Sequence, residues 1–523
     1  MFKFIKTMNR KVLVSIIFAL VIFLSGFGYI VINNMVTAFK PVSMNLSAEQ
    51  RATVSGNGGN AVIVGDYVYF IGNYVERTSI EYKQNEYNKV KYGAIYRVKL
   101  DSDTSAPVYE DADRLSDPRY IDYVPHLVDD MKLIVPKVAG FEESALYVFD
   151  KYLIYTSPNN NKDKYGNLQI NKIDFYRVDL DGRNHRHVYT TSSMEVTKDD
   201  FTVACYGTKK DIYLLIKDGE KLNRVNVTGN IGKVDTISKN ATSFVLPVVS
   251  AYTGLEGKSL SVSYGGVMNF VYYTEALSEE DIEEGLQGNV LKQYWVSKGT
   301  SKELAKLNHV EFGLLGLGNG RLLYTVKEGI DIAAVSMLYM TKDNTDADSS
   351  VPFVAATRGN YLVYKIDTSE EKFYLPTEYN ADPDSIFVST SAANSSMYLY
   401  RKLAGANANE NAVWKKVNDV ESIIAITGST VYYKSTNGDI MHISLQGNLE
   451  AVNTGWRAAS LTRLTFFSQN NLDRIFYIKT FADVEGEEST TVAMMGEIRE
   501  TVKEFVLGRV DDKYLPENLK EIK

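Results

Sequence analysis

Few residues in this 523-residue chain have the type and spacing to do chemistry. Asp343, Asp346 and Asp348, in Lys342-Asp-Asn-Thr-Asp-Ala-Asp, could offer oxygen ligands to calcium. Their spacing is not that of an EF-hand, and neither the turn glycine nor a closing glutamate follows, so a solvated turn is the simpler reading. Asn159, Asn161 and Asp163 offer oxygens in a similarly short pattern. His185 and His187 alternate along a strand and could share a metal, but no third ligand neighbours them, which favours an ordinary strand face. Cys205, the sole cysteine, lies between Ala204 and Tyr206 in an apolar run and reads as a small buried side chain. The chain has no His-Glu-x-x-His, no Gly-x-Ser-x-Gly, no phosphate-cradling glycine loop and no paired-cysteine metal pattern. No catalytic residue, metal or cofactor is therefore expected, although carboxylates for glycoside cleavage could still converge from distant segments.

Binding chemistry is better represented. Residues 72–93 hold Tyr74, Arg77, Tyr82, Lys83, Tyr87, Lys89, Lys91 and Tyr92, and residues 156–172 hold Asn161, Lys162, Lys164 and Tyr165. Their net charges are +4 − 3 = +1 and +3 − 1 = +2. Tyrosine presents a rigid apolar surface with a hydrogen-bonding tip, a composition suited to protein or glycan ligands. The simpler alternative is a pair of solvated insertions with no partner.

The elements that must position these stretches come from a repeated unit. Residues 175–182, Phe-Tyr-Arg-Val-Asp-Leu-Asp-Gly, form a strand with Tyr176, Val178 and Leu180 on one face and Phe175, Arg177 and Asp179 on the other, ending in a turn. Residues 95–102 repeat it, with Tyr96, Val98 and Leu100 inside and Arg97 and Lys99 outside. Residues 223–229 repeat it through Arg224, Val225, Val227 and Gly229, and residues 441–447 through His442, Ile443, Leu445 and Gly447. Each copy follows a partner strand. In the third and fourth copies Asp218-Gly219 and Asn437-Gly438 supply tight hairpin turns, whereas the first two copies carry the two insertions at that same place. Nine Tyr-rich strand runs start 33 to 85 residues apart, the scale of a four-stranded propeller blade with insertions. The expected fold is all-β, a β-propeller of seven to eight four-stranded blades, whose radial packing buries both faces of each sheet. Closure of the ring is expected to recruit a strand near residues 61–64 into the last blade. A short helix is expected over residues 278–286, where a capping serine precedes acids in the first turn. Met495, Ile498, Val502 and Phe505 fit either a helix or the return strand of a final hairpin.

The Tyr-Arg-Val-Asp-Leu-Asp-Gly run, preceded by a Gly/Asp-x-Tyr-x-Tyr strand, resembles bacterial β-propeller domains described as similar to those of low-density-lipoprotein-receptor-related proteins. The likeness spans residues 67–229 and returns around residues 431–447. It implies a membrane-associated propeller and carries over no catalytic residue. The Tyr-Trp-Thr-Asp signature of the receptor propellers does not occur here.

Residues 12–32 contain no charged side chain and are long enough to cross a hydrocarbon core of about 30 Å. Lys3, Lys6, Arg10 and Lys11 precede them and only Lys40 follows closely, so the expected topology is a single transmembrane helix with the amino terminus in the cytoplasm. A cleaved signal peptide ending at Gly26-Phe27-Gly28 is the alternative, with an apolar run longer than such peptides need. The expected organisation is a cytoplasmic segment 1–11, span 12–32, stalk 33–59, extracytoplasmic propeller 60–510 and polar tail 511–523. The chain carries −8 overall; its first 32 residues hold four basic and no acidic side chains, leaving −8 − 4 = −12 beyond them, which disfavours nucleic acid as a partner. The expected partners are the bilayer and an envelope protein or glycan. The function expected is a non-catalytic binding or scaffold module, against an alternative glycoside hydrolase or lyase acting on surface polysaccharide.

Overall fold

The computed structural model describes residues 46–72, 93–100, 131–136, 139–159, 161, 163–167, 169, 171–206, 211–245, 252–253, 259–260, 270–314, 323–328, 335–341, 360–366, 371–374, 387–391, 395–400, 413–426, 430–444, 449–458, 461–469, 472–481, 490–498 and 503–509. Nearly every element among them is a strand. They form eight antiparallel meanders in chain order, spanning residues 54–135, 146–190, 201–238, 241–306, 310–366, 371–417, 420–457 and 462–509. Seven have four strands and the first has five; a two-stranded ribbon, Tyr252–Thr253 with Ser259–Leu260, branches from the fourth. Eight sheets emerge from nine Tyr-rich runs because residues 361–365 belong to the last strand of the fifth sheet.

Burial shows how the sheets are oriented. The opening four-residue strands of the first and second sheets, Ala61–Val64 and Leu146–Phe149, are buried at every position. Closing strands such as Arg186–Thr190 and Ala451–Arg457 carry mostly exposed or half-buried side chains. The second and third meanders therefore run from an enclosed inner strand to a more solvated rim.

Alternation along a strand then splits its side chains between two neighbouring sheets. Val62 and Val64 pack with Leu146, Val148 and Leu153 of the second sheet, while Ala61 and Ile63 pack with Phe467, Phe476 and Met495 of the eighth. Further apolar clusters join the second sheet to the third, third to fourth, fourth to fifth, sixth to seventh and seventh to eighth. Seven of the eight neighbouring contacts are thus described, including the one that returns the last sheet to the first. An all-β chain of consecutive meanders closed in this way is consistent with an eight-bladed propeller.

Three expectations are corrected. The strand Ala61–Val64 pairs with Tyr67–Ile71 inside the first sheet instead of completing the last. Closure there is by side-chain packing and by a clasp, because both faces of the first sheet already demand burial. The clasp is the Ser/Asn/Gly run read as the end of the stalk. Asn57 donates from Nδ2 to Val148 O at 3.2 Å and accepts the Val148 amide at 2.7 Å, while the Gly58 amide donates to Leu146 O at 2.7 Å. On the other side the Asn60 amide donates to Thr465 Oγ1 at 2.9 Å. Finally, Arg97 does not point outside; it is buried, as is Arg177 at the matching position of the second sheet. Arg177 lies over the Tyr152 ring at 4.4 Å and donates to Val227 O of the third sheet at 3.0 Å. Arg224 repeats this over Tyr213 at 4.8 Å, reaching Val296 O of the fourth at 3.2 Å.

Local chemistry holds elsewhere. Asp218-Gly219 and Asn437-Gly438 make the two tight hairpin turns, with both glycines at positive φ. Ser278 caps a short helix, Glu279–Glu283, through a reciprocal bond pair with Asp281. The stretch left open near the end is strand, Thr490–Ile498 returning to Lys503–Arg509. Cys205 is buried. No helix among the described residues is long and apolar enough to cross a membrane; residues 12–32 lie outside them.

Candidate functional site

In an antiparallel meander the first-to-second and third-to-fourth turns share one end, and the second-to-third turns share the other with the crossover into the next sheet. Counted from the inner strands Ala61–Val64 and Leu146–Phe149, the insertions at 72–93 and 156–172 both follow the second strand, so their anchoring ends lie beside the starts of the inner strands at one end of adjacent sheets. Of the sequence-derived binding residues, Tyr74, Arg77, Tyr82, Lys83, Tyr87, Lys89, Tyr92 and Lys162 lie outside the described residues, as do Asp343, Asp346 and Asp348. Asn161, Lys164 and Tyr165 are described, and all three are exposed.

The second insertion is a built projection. Its base is closed by the Asn159 amide donating to Lys172 O at 2.9 Å and by Asn159 Nδ2 donating to Asp174 Oδ1 at 2.7 Å. At the tip Asp163 Oδ1 accepts the amides of Tyr165 at 2.8 Å and Asn167 at 2.9 Å, and the Gly166 amide donates to Asp163 O at 3.0 Å. The Asn167 amide foremost, with that of Tyr165, holds the Asp163 carboxyl below the usual carboxylate range. This turn leaves Tyr165 76% exposed, with the Lys164 ammonium 4.9 Å from its ring centroid. The Asn159 and Asp163 side-chain oxygens and the Asn161 carbonyl are thus engaged in building the loop.

His185 and His187 are also bonded within the second sheet. His185 Nε2 meets Tyr155 OH at 2.6 Å, and His187 Nε2 meets Thr190 Oγ1 at 2.9 Å. Tyr176 stacks on His185 at 4.9 Å and donates to Asp174 Oδ2 at 3.2 Å. Burial pushes both phenols up, Tyr155 and Tyr176 alike, with the Asp174 charge adding to it, so both stay neutral and Tyr176 donates to Asp174. Among the described residues, no three His, Cys, Asp or Glu side chains are grouped to hold a metal.

A second cluster occupies the same end, nearer the inner strands, and it escaped the sequence reading. Glu143 and Lys198 each stand three residues ahead of an inner strand, Leu146–Phe149 and Phe201–Tyr206, and Arg463 lies at the start of the inner strand Thr462–Gln469. Lys198 sits in a 3-10 turn, Lys198–Asp200, pinned by Asp200 Oδ2 accepting from the Thr197 amide at 2.9 Å and its hydroxyl at 2.8 Å. The Lys198 amide donates to Glu143 Oε2 at 2.6 Å, and Arg463 Nη1 donates to Phe141 O at 3.3 Å. Burial and then the Arg463 charge lower the Lys198 ammonium, against the raising effect of Glu143 and Asp199. The three-residue offset that Glu143 and Lys198 share ahead of an inner strand was the available signal; Arg463, inside its strand, offered none. The offset was invisible because the Tyr-rich runs mark mainly second strands.

No protein-family model and no curated protein matches this sequence. Solved structures give distant likenesses. An uncharacterized protein from Listeria monocytogenes EGD-e is 10% identical over 64% of this chain and 89% of its own, with a TM-score of 0.35. Dihydro-heme d1 dehydrogenase NirN is 11% identical over 69% of this chain and 65% of its own, at 0.36. A prolyl endopeptidase is 11% identical over 80% of this chain and 55% of its own, at 0.31. At those scores the likenesses carry no argument about fold or activity.

Proposed function

We propose that this chain is a non-catalytic binding module: an eight-bladed propeller outside the cytoplasm, tethered by residues 12–32 and similar to the bacterial receptor-related-protein-like propellers, that engages an envelope protein or polymer with its insertion-bearing end. The observation that carries this reading is Tyr165, an exposed aromatic fixed on a turn that Asp163 organises. A side chain already ordered loses little entropy on binding, and tyrosine adds apolar area with one hydrogen-bonding tip.

The path of the chain supports an orientation for the tether. The helix Ala48–Ala52 lies at the opposite end, where Gln50 Nε2 donates to Asp66 Oδ2 at 3.0 Å and Arg51 Nε to Asp150 Oδ1 at 3.1 Å, in the first turns of the first two sheets. Residues 33–45 span at most about 45 Å fully extended. That length favours the helix end toward the bilayer and the insertions away from it.

The test uses the detergent-solubilised full chain, incubated with cell-envelope extract. Retained partners and released sugars are both identified. The expected result is a partner whose retention falls at least tenfold on Tyr165→Ala with Lys164→Ala, without sugar release. Sugar release by the wild type would establish the polysaccharide-degrading alternative instead. Equal retention by the variant would overturn the assignment of this end.

A further inference from the structure

Among the described residues six large apolar side chains are exposed, and four of them, Tyr165, Met194, Ile282 and Leu307, stand at the insertion-bearing end. Tyr165 is on the insertion of the second sheet and Met194 on the crossover into the third. Ile282 is on the equivalent connection of the fourth sheet, within the helix Glu279–Glu283, and Leu307 on the crossover into the fifth. Because the second, third and fourth sheets are neighbours, the four lie along one arc of that end. Val234 and Val452, the other two, lie at the far end on the third and seventh sheets, which are not neighbours. Single exposed apolar side chains are ordinary, but a run of them on consecutive sheets marks an interaction surface.

Each of these side chains is held on an ordered turn. Asp218, in the tight turn of the third sheet, accepts the Ser192 and Ser193 amides, each at 2.7 Å, and Ser193 Oγ accepts the Glu195 amide at 3.1 Å, which fixes the loop around Met194. Ile282, 60% exposed, projects from the helix that Ser278 caps, and Asp281 of that helix pairs with Lys306 beside Leu307. The Gln287 amide donates to Asn308 Oδ1 at 3.0 Å and the His309 amide to Gln287 O at 2.9 Å, tying the helix to the crossover. Side chains ordered beforehand lose little entropy when covered. Charge along the arc is graded. Lys164 beside Tyr165 belongs to an insertion of net +2, whereas Ile282 stands among Glu279, Glu280, Glu283 and Glu284, all exposed. Each end of the arc thus carries the complement of the other.

We propose that this end pairs with the same end of a second copy of the chain. A half-turn about an axis crossing the third sheet reverses the order of the sheets in the second copy, which sets the second sheet of each against the fourth sheet of the other. Lys164 and Tyr165 then meet the glutamates and Ile282 at two equivalent contacts, and Met194 lies near its own counterpart at the axis. Opposite charges face each other at both contacts while the apolar side chains are covered. The pairing rests on the binding-module reading and names the partner as another copy. The helices Ala48–Ala52 lie at opposite ends of such a dimer.

Sedimentation equilibrium of the full-length protein in density-matched detergent tests the pairing. A monomer–dimer equilibrium in the micromolar range is expected, weakened tenfold or more by Ile282→Asp and unchanged by Val452→Asp at the far end. Lys164→Glu, and separately Glu283→Lys with Glu284→Lys, should each weaken it about threefold or more, because like charges then meet at both contacts. A mixture of these two variants should recover dimers as tight as those of the wild type, since every contact in the mixed pair again joins opposite charges. All the altered side chains are exposed, so each variant should melt as the wild type does. Monomers throughout, unchanged pairing of Ile282→Asp, or no recovery on mixing would overturn the proposal. Capture of an envelope component by a chain that stays monomeric would overturn it too, and would leave the binding-module reading standing.

Discussion

Arg177 shows what the arginine of the repeated unit is for. Its guanidinium caps one tyrosine ring of its own sheet and hands a hydrogen bond to the carbonyl just past the third strand of the next, Val227 O. A desolvated cation over an aromatic ring is worth about 2 kcal/mol and a charged hydrogen bond about 1.5–3 kcal/mol. Arg177→Met should therefore destabilise the chain by roughly 2–4 kcal/mol in urea unfolding, and Arg177→Lys by nearly as much, since one ammonium cannot both stack flat and span the gap. At the equivalent position of the seventh sheet stands His442, stacked on Tyr432 at 6.0 Å. Burial lowers the His442 imidazole below its usual value, against the raising effect of Asp473. As pH falls below about 6.5, the unfolded chain takes up a proton that the folded chain resists. Stability is thus full above that pH and declines below it until the folded group also titrates. His442→Gln should flatten this part of a Tm-against-pH curve; an unchanged slope would assign it to other groups.

Among the elements, the clasp at residues 56–60 does what an ordinary strand could not. Gly56 has φ 91°, and a Cβ there would lie 2.3 Å from Phe467 Cε1 and 2.7 Å from Ala61 O. At Gly59 a Cβ would meet Thr465 Cγ2 at 2.3 Å. The glycines let the backbone pass between the first, second and eighth sheets, where any side chain would force them apart. Gly56→Ala should cost about 2–4 kcal/mol, combining left-handed strain with overpacking. Denaturant titration should show a lower midpoint with the slope kept. A midpoint within error of the wild type would mean that the clasp is dispensable.

For the whole molecule, the contact that matters most joins its ends: Asn60 and Thr465 are 405 residues apart in sequence. Until the eighth sheet arrives, Ala61, Ile63, Val68 and Phe70 lack the apolar partners that Phe467, Phe476 and Met495 provide. Such distant pairing forms late and leaves apolar faces exposed meanwhile. A chain ending at residue 457 should consequently be protease-sensitive and aggregation-prone, and a cooperative melt like that of the full chain would show the seven sheets to be self-sufficient. The division between sequence and tertiary structure follows from the range of the interactions. Alternating apolar residues, Asp-Gly and Asn-Gly turns and the Ser278 cap act over a few residues, so the strands, hairpins, insertions and helix were legible in residue order alone. The repeat motif also showed that both faces of each sheet needed cover. It did not show that Arg177 belongs to a buried face, because an arginine in a strand reads as solvated until a tyrosine and a carbonyl are found around it. Nor did it show that a polar Ser/Asn/Gly run would be a clasp, or that Lys198 and Arg463 would both reach the approach to the second sheet, at Glu143 and Phe141. Those depend on which sheet follows the last, and only closure of the circuit, driven by the unburied faces at its two ends, decides that.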